Sequence, residues 1–352
     1  MKIQIDINHP AHVHYYRNFI KLMESKGHKF CVTNRDSKMI NQLLDYYGIE
    51  HTIRNKRPEK KGTVASLMNL LRMILWCIRK SLTFHPDMYM GFASSASAIT
   101  SFLFRKPSIL IDDTEHNAMN HKLYMPFCSA VLTPFYFKKD LGNKDKQIRF
   151  NAYVEQLYLH SVYFKSSTQV LEELNVKPKE YVIVRYIAYD AHHDLKVHPI
   201  SEEAKKNIVK EISKRYRVFV SLEKSVKDPF YDDYVLKISP EKMHDLEANA
   251  KFMVAEGATM ASEAFLLGVP YLYLNPLIVG YMDYQCTHYP HRCFKTTDGD
   301  EALKIVSQLM DINIDVEAER RKVEEQTINP TAYLESFVEH FPESKHQDNR
   351  TQ

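Results

Sequence analysis

The chain has 352 residues, 44% of them hydrophobic and 26% charged, with a formal net charge of only +3. That length is typical of two domains of ordinary size, and the balanced charge argues against nucleic acid as a main partner. The five cysteines lack CxxC or zinc-ligand spacing, no apolar run is long enough to span a bilayer, and the N-terminus is typical of a strand rather than a signal peptide. These features predict a reduced, cytoplasmic protein.

The chain opens on a predicted strand–loop–helix unit. Lys2–Ile7 is predicted as a strand and Tyr15–Lys26 as a helix, with a loop between them. The loop has no GxGxxG motif, which argues against a nicotinamide or flavin dinucleotide site. It does carry His9, His12 and His14 at the edge where ligands bind in open α/β sheets. Histidine is the usual general base near neutral pH, so these three are acid/base candidates, although solvated loop side chains explain the pattern equally well.

A long apolar helix is predicted next, at Val64–Leu82. It is rich in Leu, Met and Ile and carries three basic residues, Arg72, Arg79 and Lys80. Such a helix either packs on the sheet or lies on an anionic membrane surface. Packing is favoured, because buried helices are also apolar nearly all round, and a peripheral membrane contact is the alternative.

Ionisable side chains crowd the end of a later predicted strand, Ser108–Ile111. They are Asp112, Asp113, Glu115 and His116. Their place at the carboxyl edge of a strand favours ligand binding or acid/base chemistry. Asp113 or the neighbouring threonine is equally acceptable as the N-cap of the next helix.

The second half of the chain begins with a predicted strand, Tyr181–Ala188. Arg185 lies within it and could bind a phosphate through two hydrogen bonds if its side chain faces a ligand. The following residues 190–194, with His198 beyond, contain His and Asp but no recognised metal-ligand spacing, so no metal site is predicted. We predict domains at 1–162 and 163–330, then a terminal helix and a frayed polar tail at 331–352.

The functional interpretation depends most on residues 251–276, a predicted strand–turn–helix–strand unit. Gly257 can adopt positive φ, Thr259 is a plausible N-cap, and Gly268 lies where a helix-ending glycine belongs. A helix start offers free N–H groups and a partial positive charge to an anion. Glu263, one turn inside, could accept hydrogen bonds from two sugar hydroxyls. The pattern therefore favours a diphosphate at the helix start and ribose at Glu263, although an ordinary βαβ unit also fits.

This unit resembles the donor-binding motif of GT-B glycosyltransferases, especially the peptidoglycan N-acetylglucosaminyltransferase that makes lipid II. The similar residues are Gly257-Ala258-x-x-x-Ser262-Glu263 and then Leu267-Gly268-Val269-Pro270. The resemblance implies that the turn amides bind the diphosphate and that Glu263 binds the ribose. The implied turn residues are Gly257, Ala258, Thr259 and Met260. Asp283 and Gln285 loosely match an acidic–Gln pair that holds the hydroxyls of the donor sugar.

The first loop is similar to the same family. Ala11-His12-Val13 resembles its Gly-His-Val start, which implies His12 as the base or transition-state stabiliser, although Pro10 and Ala11 replace the preceding glycines. His9, His14 and Asp112 would then lie on the acceptor side. The resemblance implies an α/β fold with two Rossmann-type parallel-sheet domains facing a cleft, and C-terminal helices that cross back to the first domain.

Nearly the whole chain also resembles a bacterial and archaeal family catalogued as domain of unknown function 354. The similar segments are Asp113-Thr114-Glu115-His116, residues 155–160, and Val184-Arg185-Tyr186 followed by His193-Asp194. That family is grouped with GT-B proteins and has no settled substrate.

The leading hypothesis is a metal-independent glycosyltransferase of surface polysaccharide or glycoconjugate synthesis. Its partners would be a nucleotide-diphosphate sugar, with UDP expected, and a glycan or lipid-linked acceptor, and it would need no cofactor beyond that co-substrate. His12, Asp113, Glu115 or His116 would assist the acceptor hydroxyl.

Two alternatives remain. One is a UDP-N-acetylglucosamine 2-epimerase, because Pro107–His116 faintly resembles the His-Val-Glu-Ala-Gly segment of those enzymes, with Glu115 at the glutamate. Their arginine-rich first loop is missing here, and Gly91-Phe92 replaces their Gly-Asp. The other alternative is a protein that binds nucleotide sugars without turnover.

Overall fold

The protein divides into two units, each built on a parallel β-sheet. Met1–Tyr158 and the chain from Thr327 onward form the first unit, and Leu159–Gln326 form the second. The computed structural model describes residues 1–54, 63–187, 200–222, 228–277 and 279–344. Two parallel-sheet α/β domains were predicted, and this fold class is confirmed.

Twelve strands are present in the described residues. They are β1 Lys2–Ile7, β2 Lys29–Arg35, β3 His51–Arg54, β4 Met88–Phe92, β5 Ser108–Ile111, β6 Ala130–Pro134, β7 Gln147–Phe150, β8 Tyr181–Tyr186, β9 Arg217–Leu222, β10 Met253–Ala255, β11 Tyr271–Tyr273 and β12 Cys293–Lys295.

Fourteen α-helices accompany them within the same described ranges. They are α1 Pro10–Ser25, α2 Lys38–Tyr46, α3 Thr63–Phe84, α4 Ser95–Leu103, α5 Ala118–Tyr124, α6 Gln156–Leu159, α7 Gln169–Leu174, α8 Glu202–Ser213, α9 Met243–Asn249, α10 Ala258–Leu266, α11 Gly280–His288, α12 Gly299–Asp311, α13 Val316–Gln326 and α14 Pro330–Glu339. None of the described helices is both long and apolar enough to cross a bilayer.

The first sheet has seven strands in the order β3-β2-β1-β4-β5-β6-β7. Ile3, Ile5 and Ile7 of β1 are completely buried, and so is nearly all of its polar Gln4 and Asp6, which is typical of a central parallel strand. The chain builds outward from β1 to β3 and then in the other direction from β4 to β7. The strand order therefore reverses between β1 and β4, where ligands bind in open α/β sheets.

Helix α1 begins five residues earlier than predicted, at Pro10 rather than Tyr15. Its N-cap is His9, whose Nδ1 accepts a hydrogen bond from the Ala11 N–H at 3.2 Å. Proline is favoured at the first helical position because its missing N–H has no partner there in any case. His12 and His14 consequently lie on the helix and not in a loop.

The second sheet has five strands in the order β12-β11-β10-β8-β9, and its order reverses between β8 and β10. One face of β8 carries Val182 and Val184, which are buried in a core formed with α8 and α12. Tyr181 belongs to the other face, where its hydroxyl donates to the Leu246 carbonyl of α9 at 2.5 Å. Arg185 shares that face, because alternate residues of a strand point the same way.

The last helix returns to the first unit, as predicted. Thr331, at the start of α14, donates its hydroxyl to the Leu157 carbonyl at 2.8 Å. Near the other end, Glu339 pairs with Lys26 at 2.9 Å, just beyond α1. These contacts hold α14 against the start of α6 and the end of α1.

Candidate functional site

The amino end of α10 lies where the second sheet reverses its order. Gly257 is the N-cap, with φ −89° and ψ 123°, and no side chain caps the helix. Two predictions were therefore wrong: Gly257 does not use positive φ, and Thr259 is inside the first turn rather than at the N-cap. The first-turn N–H groups have no partner within the helix, and Gly257–Met260 are half-buried rather than enclosed. This turn can therefore bind an anion through its backbone.

The carboxyl end of α10 is fixed by Gly268, as predicted. Its φ is +78°, and a Cβ there would lie 2.0 Å from the Val316 carbonyl oxygen. Only glycine fits this position. At Gly257, by contrast, a Cβ would make an ordinary contact, 3.6 Å from the Ile187 side chain.

The residue before the turn, Glu256, is a buried anchor that the sequence analysis missed. One carboxylate oxygen lies 2.9 Å from Lys205 Nζ, and the other accepts the Ile187 N–H at 2.9 Å. Its carbonyl accepts a hydrogen bond from the Asn275 side chain at 2.9 Å. The ends of β8, β10 and β11 are thereby held together under the turn. An acidic residue directly before the glycine was the available sequence signal.

Glu263 belongs to a buried polar cluster. It is only 6% exposed, and its Oε1 lies 3.2 Å from His244 Nε2 of α9. Glu247, also on α9, is completely buried, and neither of its carboxyl oxygens has a hydrogen-bond partner in the described structure. Burial and the Glu263 charge raise the pKa of Glu247 well above its ordinary value, against the opposing effect of Arg185. We therefore expect Glu247 to be a neutral carboxylic acid at neutral pH.

The same cluster has donors suited to a metal ion. One ligand atom each from His244, Glu247 and Glu263 lie within 4.8 Å of one another. One imidazole and two carboxylates suit Zn²⁺ or Mn²⁺, whereas the nearby Arg185 cation opposes a metal. The His and Asp side chains at residues 190–194 and His198, in which the sequence predicts no metal site, lie outside the described residues.

Arg185 and Asp283 are already engaged in side-chain contacts. Arg185 donates to Ser221 Oγ at 2.8 Å, next to the end of β9. Asp283 is half-buried and pairs with Lys295 Nζ. Neither arrangement prevents a ligand contact, so both assignments stay predictions.

Gln285 is placed differently from its predicted role. It is completely buried, its Oε1 accepts from the Tyr271 hydroxyl at 2.9 Å, and its Nε2 donates to Ser262 Oγ at 3.2 Å. Both ends of the amide are used within the core. Gln285 therefore supports α10 from below instead of presenting a ligand surface.

In the first unit, His12 lies at the reversal between β1 and β4. Its ring is 4.8 Å from the ring of Phe92, the last residue of β4, and its Nδ1 accepts the Asn8 N–H at 3.4 Å. Burial and the neighbouring His9 lower the pKa of His12 to about 3. The imidazole is therefore neutral at neutral pH, which makes it a weak base and a hydrogen-bonding group.

His14 does not lie at this edge. It is 7% exposed, its ring lies 5.2 Å from that of Tyr158 and 5.8 Å from that of Tyr47, and its Nδ1 is 3.0 Å from Arg17 Nη1. Two positions along a helix turn a side chain by about 200°, so His14 points away from His12. His14 was predicted to lie on the acceptor side, and this prediction is wrong, because the side chain packs in the interior of the first unit.

Asp112 is also structural. It is completely buried, and it accepts hydrogen bonds from the Tyr124 hydroxyl at 2.6 Å and the Thr114 N–H at 2.8 Å. His121 Nε2 lies 3.2 Å from the same carboxylate. Asp112 therefore fixes the loop after β5 from within, which corrects its predicted acceptor-side role. His121 and Tyr124 were not predicted, because their spacing on α5 does not indicate a role without the fold.

Asp113, next to it, is half-buried at the edge of the sheet. Burial, the Asp112 charge and the Glu115 charge raise its pKa to about 7, despite a 3.0 Å hydrogen bond from the Thr114 hydroxyl. The N-cap of α5 is Asn117, so neither Asp113 nor Thr114 caps that helix. Asp113 is thus a carboxyl group that exchanges a proton near neutral pH.

The remaining predicted catalytic residues lie further along this loop. The Glu115 carboxylate accepts the Lys138 N–H, and its carbonyl accepts from Lys139 Nζ at 3.1 Å. His116 is exposed. Glu115 therefore ties the loop to the segment after β6.

Hydrogen bonds join α5, which follows the Asp113 loop, to the loop after β4 and the start of α4. Asn120 donates to the Ala93 carbonyl at 2.6 Å and accepts from the Ser95 hydroxyl at 2.6 Å. Since Ala93 follows Phe92, which contacts His12, the His12 and Asp113 segments share one edge of the first sheet.

Known structures share this fold. A UDP-N-acetylglucosamine 2-epimerase from Rickettsia bellii matches with a TM-score of 0.70 and 12% identity, over 100% of this chain and 98% of that one. The glycotransferase of kitacinnamycin gives 0.64 and 12%, over 96% and 98% of the two chains. The Methanocaldococcus jannaschii UDP-GlcNAc 2-epimerase in complex with UDP-GlcNAc and UDP gives 0.63 and 13%, over 92% and 99%. The fold is therefore that of GT-B-like proteins, as predicted.

Sequence relatives give the family. Uncharacterized protein MJ0665 of Methanocaldococcus jannaschii is 23% identical over 293 residues, which cover 77% of this chain and 80% of that protein. The profile of one family matches residues 1–330. The chain belongs to that family, which is described as "Protein of unknown function (DUF354)".

Proposed function

We propose that this protein acts on a nucleotide-diphosphate sugar and that its second unit binds the nucleotide. The observation that carries the proposal is the uncapped, half-buried first turn of α10, with Glu263 one turn further along the same helix. Backbone N–H groups of Ala258, Thr259 and Met260 would bind the diphosphate. Glu263 would accept hydrogen bonds from the ribose hydroxyls. We expect UDP as the nucleotide, since one protein of the same fold was solved with UDP-GlcNAc and UDP.

The reaction we favour is glycosyl transfer. The bond between the anomeric carbon and the diphosphate oxygen breaks, a bond to an acceptor oxygen forms, and the acceptor proton passes to a base. The N–H groups and dipole of α10 stabilise the charge on the leaving diphosphate, which is work that a metal ion does elsewhere. The nucleotide sugar is the co-substrate, and the proposal requires no further cofactor.

Among the candidate residues, Asp113 has the pKa that best suits a general base. A pKa of about 7 lets it be charged in a useful fraction of molecules and still hold a proton after transfer. Neutral His12 suits hydrogen bonding to the acceptor or the transition state better than proton transfer. The acceptor would be a glycan or a lipid-linked glycan in surface polysaccharide synthesis.

A 2-epimerase is the second candidate, because several proteins with this fold are UDP-N-acetylglucosamine 2-epimerases. An epimerase needs no acceptor, whereas a transferase does. This difference separates the two without knowledge of the acceptor's structure.

The test is to incubate the protein with labelled UDP-GlcNAc, with and without a bacterial glycolipid extract, and to measure free UDP and the 2-epimer separately. The transferase predicts UDP release that depends on the extract and is lost in Asp113→Asn. The control Asp145→Asn changes an exposed carboxylate of the same unit and should retain the rate. Formation of the 2-epimer without extract would contradict the transferase hypothesis and identify the protein as an epimerase. UDP binding without either product, across the other common nucleotide sugars as well, would leave only a binding protein.

A further inference from the structure

Helix α3 carries an exposed apolar face. Six of its large hydrophobic side chains are exposed: Val64, Leu67, Met68, Leu71, Leu75 and Leu82. The first five fall at spacings of three and four residues, so they lie on one side of the helix. The exposure is therefore a continuous stripe and not a scatter of single side chains, which would need no explanation.

The amino-terminal half of α3 contributes little to the core. From Val64 to Trp76 no side chain is fully buried, and the first buried residue of the helix is Cys77. Val64 is 77% exposed and Leu75 is 65% exposed. An apolar stripe of this length is unfavourable in water, which indicates that another surface covers it.

Apolar exposure continues on the two following helices. Phe102 and Leu103 at the end of α4, and Met119 and Leu123 on α5, are exposed as well. Ten of the fifteen large hydrophobics exposed in the described structure thus lie on α3, α4 and α5, whereas the second unit contributes only Val162. The feature belongs to one region of the first unit.

The charges of this region are of one sign. Helix α3 contains no Asp or Glu in 22 residues, but it carries Arg72, Arg79 and Lys80. Exposed Arg105 and Lys106 follow the apolar end of α4 directly. An apolar stripe with basic residues alongside matches a bilayer surface that contains anionic lipids, because the stripe enters the headgroup region while the cations pair with phosphates.

A second copy of the chain fits this face less well. A twofold interface must be complementary to itself, and a helix with basic but no acidic residues would place like charges opposite one another. We propose that α3, extended by the end of α4, docks this protein on the surface of an anionic phospholipid membrane. The proposal does not depend on the proposed function, since lipid binding requires neither the nucleotide nor turnover.

The test is sedimentation of the full chain with phosphatidylcholine vesicles that contain or lack phosphatidylglycerol. Wild type should bind the anionic vesicles, and Leu71→Ser/Leu75→Ser should weaken that binding by at least about tenfold, since two exposed apolar side chains are removed. Arg72→Gln/Arg79→Gln should weaken it by about fivefold for each charge, and high salt should mimic this effect. The control is Val162→Ser, an equally exposed apolar residue on the second unit, and it should bind like wild type.

Both substituted leucines are exposed, so the variants should keep the wild-type melting temperature, and this is checked first. Absence of binding to anionic vesicles overturns the proposal, as does equal loss in Val162→Ser. A wild-type dimer in solution that Leu71→Ser/Leu75→Ser converts to monomer, without vesicle binding, would also overturn it and would identify the face as a self-association surface.

Discussion

The two sheets reverse their strand order at sites that are built in opposite ways. In the second unit the site is built around the first turn of α10, and the acidic groups nearby, Glu256, Glu247 and Glu263, are all buried. In the first unit the candidate groups come from two separate connections, and the titrating group, Asp113, is half-buried at the edge. A rigid, pre-organised site suits the invariant part of a ligand, whereas an edge of several loops suits the part that varies between substrates.

The acidic groups of the two units also differ in their pKa values. Burial and the Glu263 charge raise the pKa of Glu247 well above its ordinary value, which favours the protonated carboxylic acid. Asp113, by contrast, has a pKa of about 7 and therefore exchanges a proton near neutral pH. Under the proposed function the second unit would bind the nucleotide and the first would take up the proton. The substitutions below test this division, beginning with the one expected to change the protein most.

The largest effect should come from Gly268→Ala. The new Cβ would collide with the Val316 carbonyl, and the residue would be held at positive φ, so we expect a loss of at least about 3 kcal/mol of stability. Chemical denaturation measures it. Gly257→Ala is the matched control at the other end of α10, where a Cβ fits and the loss should stay below about 1 kcal/mol. Similar losses of stability in Gly268→Ala and Gly257→Ala would contradict the conclusion that the carboxyl end of α10 is the end that requires glycine.

Asp113→Asn should abolish proton transfer without affecting the nucleotide. We expect turnover to fall by about 10²- to 10⁴-fold, with the affinity for the nucleotide unchanged. The wild-type rate should rise with pH and level off above the pKa of about 7, because the charged form is the base. Initial rates measured across a range of pH check this dependence. If the rate of Asp113→Asn rises with the same midpoint, the titrating base is another group.

His12→Gln should have a smaller effect on the rate. Because the pKa of His12 is about 3, its imidazole is already neutral, and the shape of the pH–rate curve should not change. A loss of about tenfold without a shift in the curve is expected for a hydrogen-bonding group. Disappearance of the rise with pH in this variant would make His12 the base in place of Asp113.

Glu247→Gln should act on stability alone, and through its pH dependence. Its folded-state pKa lies above the ordinary value of 4.5, so the unfolded chain releases the proton first, and the wild type loses stability as pH rises above that value. Glutamine has no proton to lose. The melting temperature of the variant relative to wild type should therefore increase as the pH rises above about 4.5. A relative decrease over that range would show that Glu247 is a stabilising carboxylate.

The sequence predicted the parts of the sites that depend on local structure. Strand, turn and helix of residues 251–276 follow from apolar runs and glycine positions, and Gly268 has the positive φ expected of it. Pro10 after a strand was a readable signal for a helix start, because proline is favoured there, and taking the segment as a loop placed His14 at the wrong surface.

Burial of polar side chains could not be predicted. Asp112 and Gln285 look like ligand-binding residues in the sequence, but Tyr124 and Tyr271 are the groups that they bind. These partners come from other elements, so only the packed fold identifies them. For α3 the prediction failed in the opposite direction. The helix was expected to pack on the sheet, but its apolar stripe is exposed.

The proposed function depends most on binding of a nucleoside diphosphate by the first turn of α10 and Glu263. The most direct measurement is the thermal shift of wild type, Glu263→Gln and the control Glu325→Gln with UDP, GDP, CDP and dTDP. Glu325 is exposed on α13, so its variant should respond like wild type. A nucleotide at about a hundred times its dissociation constant adds about 2.7 kcal/mol of stability, which is readily seen as a shift in melting temperature. We expect one nucleotide to stabilise wild type and Glu325→Gln, and to stabilise Glu263→Gln much less. Stabilisation by none of them, or equal stabilisation of all three proteins, would contradict it.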